Sequence, residues 1–308
     1  MKSIKIVCIL VISFIVVHQA FCPNYGAQSM VKPLHKVIVK RPDQAFAAKD
    51  SVRLHYTSGP DLTKAQEEHD AFTQILKNEG VEVIYHETNL PDHADAIFVQ
   101  DPVMITDRGA IMLRMGKPLR RGEEEALARC CEKNRVPVLF RLHDHATAEG
   151  GDILWLDSKT VAIGRSFRTN DEGINQLSNI LKLMGIEVIV VELPYFHGHD
   201  VCLRLQSLIS LVDEKLAVVY LPLLPVSFFH YLKKHGFTLI EVPEKEFMTM
   251  GTNILTIKPR VCVMLGGNSI TKKHLEDHGV KVYTYKGDEI SHKAEGGATY
   301  LTRPILRK

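Results

Sequence analysis

From residue 31 onward one pattern returns about every 50 residues: apolar strand, short polar turn, second apolar strand, helix, third strand. Four hairpins read VMITDRGAIML, ILWLDSKTVAIG, LISLVDEKLAVVY and ILTIKPRVCVML, with turns near Asp107, Asp157, Asp213 and Lys258. Polar turns between β-branched runs are hairpin signals. Helix–strand pairs follow. In TNDEGINQLSNILKLMG, Thr169 and Glu172 predict a capping box, Ile174, Leu177, Leu181 and Met184 share one face, and Gly185 supplies a stop. Five helix–strand pairs accompany only four internal hairpins. Pairing the early strand HKVIVKRP with the final ATYLTRPIL supplies the fifth and closes a ring without free sheet edges. The pattern predicts an α/β fold of five ββαβ modules around a central channel; the alternative is an open α/β sheet with coincidental spacing.

The chain has 308 residues, 45% of them apolar, enough for one large core, and no linker-like composition interrupts residues 31–308. We read that span as one domain. A net charge of +2, with no basic stripe carrying interleaved aromatics, argues against nucleic acid as a partner. Residues 1–27 read as a secretory signal peptide: Lys2 and Lys5, the apolar run Ile6–Val17, then small residues, with a cut near 20–27 after Ala20 or Ala27. The run is short of the roughly 20 residues a membrane helix needs, so no stable span is expected after cleavage. A secreted product is the expectation, an uncleaved signal anchor the alternative. No Asn-x-Ser/Thr acceptor is present.

The cysteines (Cys8 in the leader, then Cys22, Cys130, Cys131, Cys202 and Cys262) match no zinc or dense disulfide spacing. Cys130 and Cys131 read as packing residues on a helix. The cluster HGHDVC, with His197, His199, Asp200 and Cys202, is a weak metal or nucleophile signal, better explained as a polar loop entering a strand. No metal site is expected.

Three further features bear on chemistry. TAEGGDILW and AEGGATYL both place an acid before paired glycines, where backbone approaches a ligand closely and a carboxylate can grip a guanidinium. IFVQDPVMI puts Gln100 and Asp101 inside an apolar strand, where an acid needs a ligand or an arginine such as Arg114, Arg120 or Arg168.

The ordered motifs VQDP, GKPLRR, EGGD, GRSFRTN, CLRLQSLISLVD and EGGATYLTRP resemble the dimethylarginine dimethylaminohydrolase branch of the guanidine-modifying, amidinotransferase-like penteins, from about Val37 to the C-terminus. The resemblance implies the five-module propeller and hydrolysis of Nω-methylated arginine to citrulline and an amine, without an organic cofactor. Active members use a cysteine thiolate to attack the guanidinium carbon, a histidine to move protons and acids to hold the cation. Carried onto this chain, Asp101, Glu149 and Glu295 match the acids. Arg168, with Arg120 or Arg121 as second candidate, matches the arginine that pairs the substrate carboxylate.

The reactive positions differ. The family histidine lies in a pattern like CLHL, which reads CLRL here with Arg204, and the nucleophile's place after the last glycine turn is Tyr300. A phenol with an ordinary pKa near 10 is protonated at neutral pH, and a guanidinium does not shuttle protons. Cys202, two residues before Arg204, faces the same way but roughly 7 Å away along a strand. Three readings follow: a secreted, catalytically inactive relative that binds an arginine-like or carboxylate ligand; an active hydrolase using Cys202 or another group; and an extracellular structural protein whose pocket Arg204 plugs.

Overall fold

The computed structural model describes residues 24–47, 51–198 and 203–308. Most of the leader, and His199, Asp200 and Cys202, lie outside the described residues. In chain order the strands are β1 (Leu34–Val39), β2 (Glu82–Tyr85), β3 (Val103–Thr106), β4 (Gly109–Met112), β5 (Val138–Arg141), β6 (Ile153–Asp157), β7 (Thr160–Arg165) and β8 (Glu187–Glu192). They continue as β9 (Ile209–Asp213), β10 (Leu216–Val219), β11 (Thr238–Glu241), β12 (Ile254–Lys258), β13 (Val261–Leu265), β14 (Lys281–Tyr285) and β15 (Arg303–Arg307).

These strands form five three-stranded sheets: β15-β1-β2, β3-β4-β5, β6-β7-β8, β9-β10-β11 and β12-β13-β14. In each, an antiparallel hairpin is followed by a helix and a third strand parallel to the second, as in β6–β7–β8. The chain ends complete the first module. Val37 lies opposite Pro304 and Ile38 opposite Arg303 in the antiparallel β1–β15 pair, and β1 runs parallel to β2. The predicted ring of five ββαβ modules is the fold.

Burial orders each sheet radially. β3 is buried along its whole length, and β6, β9 and β12 at all but their last residue. The third strands β2, β5, β8, β11 and β14 are mostly exposed or half-buried. A strand covered on both faces needs a near-continuous apolar sequence, which β3, β6, β9 and β12 have, whereas β15 brings Arg303 and Arg307 inside. The first strands therefore line the axis.

Two details depart from the local expectations. The helix Asp171–Leu183 is capped by Asn170, whose side chain accepts from the Gly173 N–H at 2.8 Å. Thr169 turns inward instead and donates its hydroxyl to Asp152 at 2.7 Å; a fully buried carboxylate needs donors more than an exposed helix end does. Gly185, at φ +74, ends the helix in the left-handed conformation as expected. At the N-terminus, ordered packing begins ahead of residue 31. The Gly26 N–H donates to the Ile305 carbonyl at 2.7 Å, the Gly26 carbonyl accepts from Arg307 at 2.8 Å, and Ala27 is buried.

Cys130 and Cys131 lie on the helix Glu123–Lys133, and Cys262 on β13; all three are buried free thiols. Burial pushes the Cys131 and Cys262 thiols up to about 12. A thiol reagent applied to the folded protein should leave these three unmodified and label them only after denaturation, as read by peptide mass spectrometry. Native labelling of Cys262 would mean that the ring opens far more readily than its packing allows.

Candidate functional site

Five chain segments bring polar groups to one end of the axis, each just ahead of the inner strand of its own module. Asp101 precedes β3, Glu149 to Asp152 lead into β6, Arg204 precedes the short helix Leu205–Leu208 that feeds β9, Asn253 borders β12, and Tyr300 precedes β15. Side chains as far apart in sequence as Asp101 and Tyr300 thus converge near the ends of inner strands.

Arg204 sits at the centre. Its Nη1 donates to Asp101 Oδ2 at 2.7 Å, and its Nη2 lies 2.7 Å from Glu149 Oε2. Both carboxylates are fully buried. On the far side of Asp101, Arg120 Nη1 donates at 2.5 Å, and Arg120 also grips Glu123, Nη2 to Oε2 at 2.8 Å. On the far side of Glu149, Arg168 Nη1 stands 3.6 Å away. The result is an alternating file, Glu123–Arg120–Asp101–Arg204–Glu149–Arg168, in which each charge inside the file is flanked by its opposite. Such a file is tolerable away from water only because every internal member has partners on both sides. Burial acts to raise the Asp101 carboxyl, but Arg204 and Arg120 outweigh it and hold it below the ordinary carboxylate range.

The guanidinium carbon of Arg204 lies 5.2 Å from the centre of the Tyr300 ring, within cation–π range. The ring is 6% exposed and meets Phe98 edge-on at 6.5 Å. Burial pushes the Tyr300 phenol well up, against the pull of Arg204, so the hydroxyl keeps its proton at physiological pH. Among the described residues it has no partner in good hydrogen-bond geometry, although the Ser207 side chain stands close enough to oppose the burial.

Gly151 is what allows this arrangement. A Cβ there would fall 2.6 Å from Tyr300 Cε1 and 2.7 Å from Arg204 Cδ. Its own N–H donates to Asp101 Oδ1 at 3.0 Å, and the Gly150 N–H to the Asp101 carbonyl at 2.9 Å. The Gly151→Ala variant should therefore lose about 1–3 kcal/mol in denaturant unfolding, because the ring and the guanidinium must both move. An unchanged midpoint would show that they yield freely.

Asp152 ties the segments together, accepting from Ser166 Oγ at 2.6 Å, Thr169 Oγ1 at 2.7 Å and the Leu205 N–H at 3.1 Å. Burial raises its carboxyl to about 6 despite those donors.

A cavity of about 100 Å³ opens beside the file, walled by His55, Asp95, Lys117, Arg168, Arg204 and Tyr300. Glu295 sits on its rim in the left-handed region, φ +56. A larger space of about 410 Å³ adjoins it across Ser207, Glu295 and Tyr300, with Phe196, Leu203, Phe247 and Met250 on its walls.

Of the residues carried over from the family pattern, Asp101, Glu149, Arg120, Arg168, Arg204, Glu295 and Tyr300 thus come together at this end of the ring. Asp101 and Glu149 are engaged by Arg204, Arg120 is committed to Asp101 and Glu123, Arg121 donates through Nε to the Met115 carbonyl at 3.2 Å, and Arg168 and Glu295 border the cavity. His197, described while the rest of its cluster is not, packs against Phe196. Among the described residues no three His, Cys, Asp or Glu side chains form a metal-holding group.

Sequence reasoning passed over the Asp95–Lys117 pair, 2.6 Å apart, and Glu123. Lys117 belongs to the quoted GKPLRR motif, but Asp95 sits in a 3₁₀ turn that reads as ordinary loop, and Glu123 looks like one of three helix-starting acids.

With that geometry in place, a family model described as "N,N dimethylarginine dimethylhydrolase, eukaryotic" matches residues 43–302. The chain belongs to the dimethylarginine dimethylaminohydrolase family. The Pseudomonas aeruginosa enzyme of that name is 29% identical over 273 residues, covering 86% of this chain and 97% of the relative. A Streptomyces coelicolor namesake is 29% identical over 200 residues, 63% of this chain and 71% of its own length. Among solved structures, a cysteine mutant of the Pseudomonas protein complexed with citrulline superposes with a TM-score of 0.75 at 25% identity, covering 89% of this chain and all of that one. A saxitoxin-pathway amidinotransferase from Microseira wollei shares the fold at 15% identity and a TM-score of 0.76. This member of the dimethylargininase family therefore carries the α/β fold of relatives that act on guanidines.

Proposed function

We propose that this protein is a secreted member of the dimethylargininase family that does not hydrolyse guanidines, because its own Arg204 occupies the pair of carboxylates that would hold the substrate. One observation carries the reading: the Arg204 guanidinium bridges Asp101 and Glu149 at 2.7 Å each, with the Tyr300 ring against it. A substrate guanidinium would have to displace a cation tethered to the chain, whose effective concentration no free ligand matches. Were it to succeed, it would meet a protonated phenol and no proton shuttle.

The same arrangement supports a narrower ligand class than that of an arginine-binding pocket. With both central acids engaged, Arg168 is the recognition element that remains. Its side chain is 7% exposed, and its Nε and Nη1 lack hydrogen-bond partners. A small carboxylate fits that guanidinium, and arginine itself does not fit the occupied acids.

Secretion rests on the N-terminal sequence. A cut near Ala20 keeps Gly26, which bonds β15, whereas a cut after Ala27 removes it. Among the described residues no helix is long and apolar enough to cross a membrane.

The deciding assay is citrulline release from dimethylarginine and from arginine by purified mature protein. Clear, metal-independent turnover would sink the proposal, while its absence together with a melting shift from small carboxylates and none from arginine would support both parts.

A further inference from the structure

Farther along the axis, between the inner strands, lies a second charged chamber that begins at Gln100, Gly150 and Thr299, directly behind Asp101, Glu149 and Tyr300, and extends to Arg307. A cavity of about 30 Å³ between the inner strands is bordered by Arg303 and Arg307 of β15 together with Met30, Trp155, Leu211 and Thr256. No Asp, Glu, Lys or His side chain lines it.

The two arginines stand apart from every other buried cation among the described residues. Lys36, Lys40, Arg120 and Arg168 each have a carboxylate within 3.6 Å. Arg303 and Arg307, 7% and 4% exposed, have only carbonyl oxygens. Arg303 Nη2 donates to the Gln100 carbonyl, while Arg307 donates to the carbonyls of Lys32 and Thr256, both at 2.7 Å. In each, Nε is buried without a partner. Burial lowers the Arg307 guanidinium to about 9, helped by repulsion from Arg303, and burial lowers Arg303 to about 10 against the distant attraction of Asp101. Both nevertheless stay charged at neutral pH.

Two buried positive charges sharing a chamber with no carboxylate are costly unless a counter-charge or donor-satisfying group joins them. A water needs about 10–15 Å³ of such space, so the chamber takes one or two small occupants and excludes sulfate or any metabolite. Arg307 also lines a surface cleft together with Lys32, Lys308 and Asp107, which gives a route to solvent. We propose that the axis of this protein holds a monovalent inorganic anion, chloride in its native setting, bound in this chamber at the unpartnered Nε–H of Arg307 and offsetting the nearby charge of Arg303.

The site is structural in its effect. Bound anion ties β15, the last strand of the chain, to the carbonyls of Lys32 and Thr256 that Arg307 grips, and so reinforces closure of the ring. Crystals of the mature protein grown in sodium bromide should show an anomalous bromine peak in this chamber, in contact with Arg307 Nε. In solution, raising chloride to about ten times its dissociation constant at fixed ionic strength, with gluconate as the balancing anion, should raise the melting temperature by roughly 3–5 °C. The Arg307→Met variant should lose that chloride dependence while keeping any general salt effect.

No bromine peak, or a peak unaccompanied by chloride-specific stabilisation in solution, would overturn the proposal and leave water as the occupant. Chloride dependence retained in Arg307→Met would place the anion elsewhere and overturn it equally. If that variant fails to fold, the bromide crystals of the unmodified protein decide the question. None of these outcomes depends on whether the Arg204 end of the ring has activity.

Discussion

Purified protein lacking its leader is expected to release no citrulline from dimethylarginine or arginine above the buffer rate. In enzymes built on a nucleophile and its base, removing either costs on the order of 10⁶ in kcat, and on the proposed reading both positions carry unsuited groups here. The Tyr300 phenol is held in its neutral form by burial, and Arg204 has no proton to exchange near neutral pH. The single Tyr300→Cys variant should remain silent, because Arg204 still fills Asp101 and Glu149. Pairing it with Arg204→His frees both acids and supplies a shuttle. Citrulline formation by the double variant should then exceed that of either single variant by about 100-fold or more. Activity of the unmodified protein equal to that of the double variant would mean that another group does the chemistry.

Removing Arg204 alone should produce the largest loss of stability. Arg204→Ala leaves Asp101 with Arg120 only and Glu149 with the more distant Arg168, two fully buried carboxylates short of positive charge. Breaking a buried pair by deleting one partner costs about 3–5 kcal/mol, which lowers the melting temperature of a domain this size by roughly 10 °C.

The pH dependence has a defined sign. In the parent protein the Asp101 pKa is depressed, so its stabilising contribution is present above the unfolded carboxylate pKa and is lost as pH falls through the folded value. Without Arg204 burial acts with less opposition, the Asp101 pKa rises, and protonation relieves the variant as pH drops toward 4. The deficit relative to the parent should thus be widest near pH 7 and narrow on acidification. Millimolar methylguanidinium should restore part of the lost stability by refilling the vacated seat, and methylurea, its uncharged analogue, should not. Equal responses to the two would show that the seat does not recognise a guanidinium.

The fold was legible because its signals are local and repeat. A β-branched run, a polar turn and a capped amphipathic helix each declare themselves within a few residues, and five recurrences with one hairpin missing leave β1 and β15 to pair. The proposed exchange of function-bearing residues rests on the same kind of signal: CLRL and EGGATYL put Arg204 and Tyr300 at fixed offsets from recognisable motifs. Where local reasoning failed, a long-range demand outbid a short-range one. Thr169 looks like a helix cap and instead serves Asp152, a fully buried acid close to it only in space.

By itself, the sequence determined a closed ring of five modules and the identities of the groups delivered to its axis, because hydrophobic period, turn chemistry and motif spacing are properties of neighbours along the chain. Only the tertiary structure decided what those groups do to one another. That Arg204 reaches across modules to Asp101 and Glu149, while Arg303 and Arg307 form no ion pair among the described residues, depends on the convergence of distant strand ends. Electrostatic energy in a dry interior is set by those distances and by burial, neither of which is written in the order of residues.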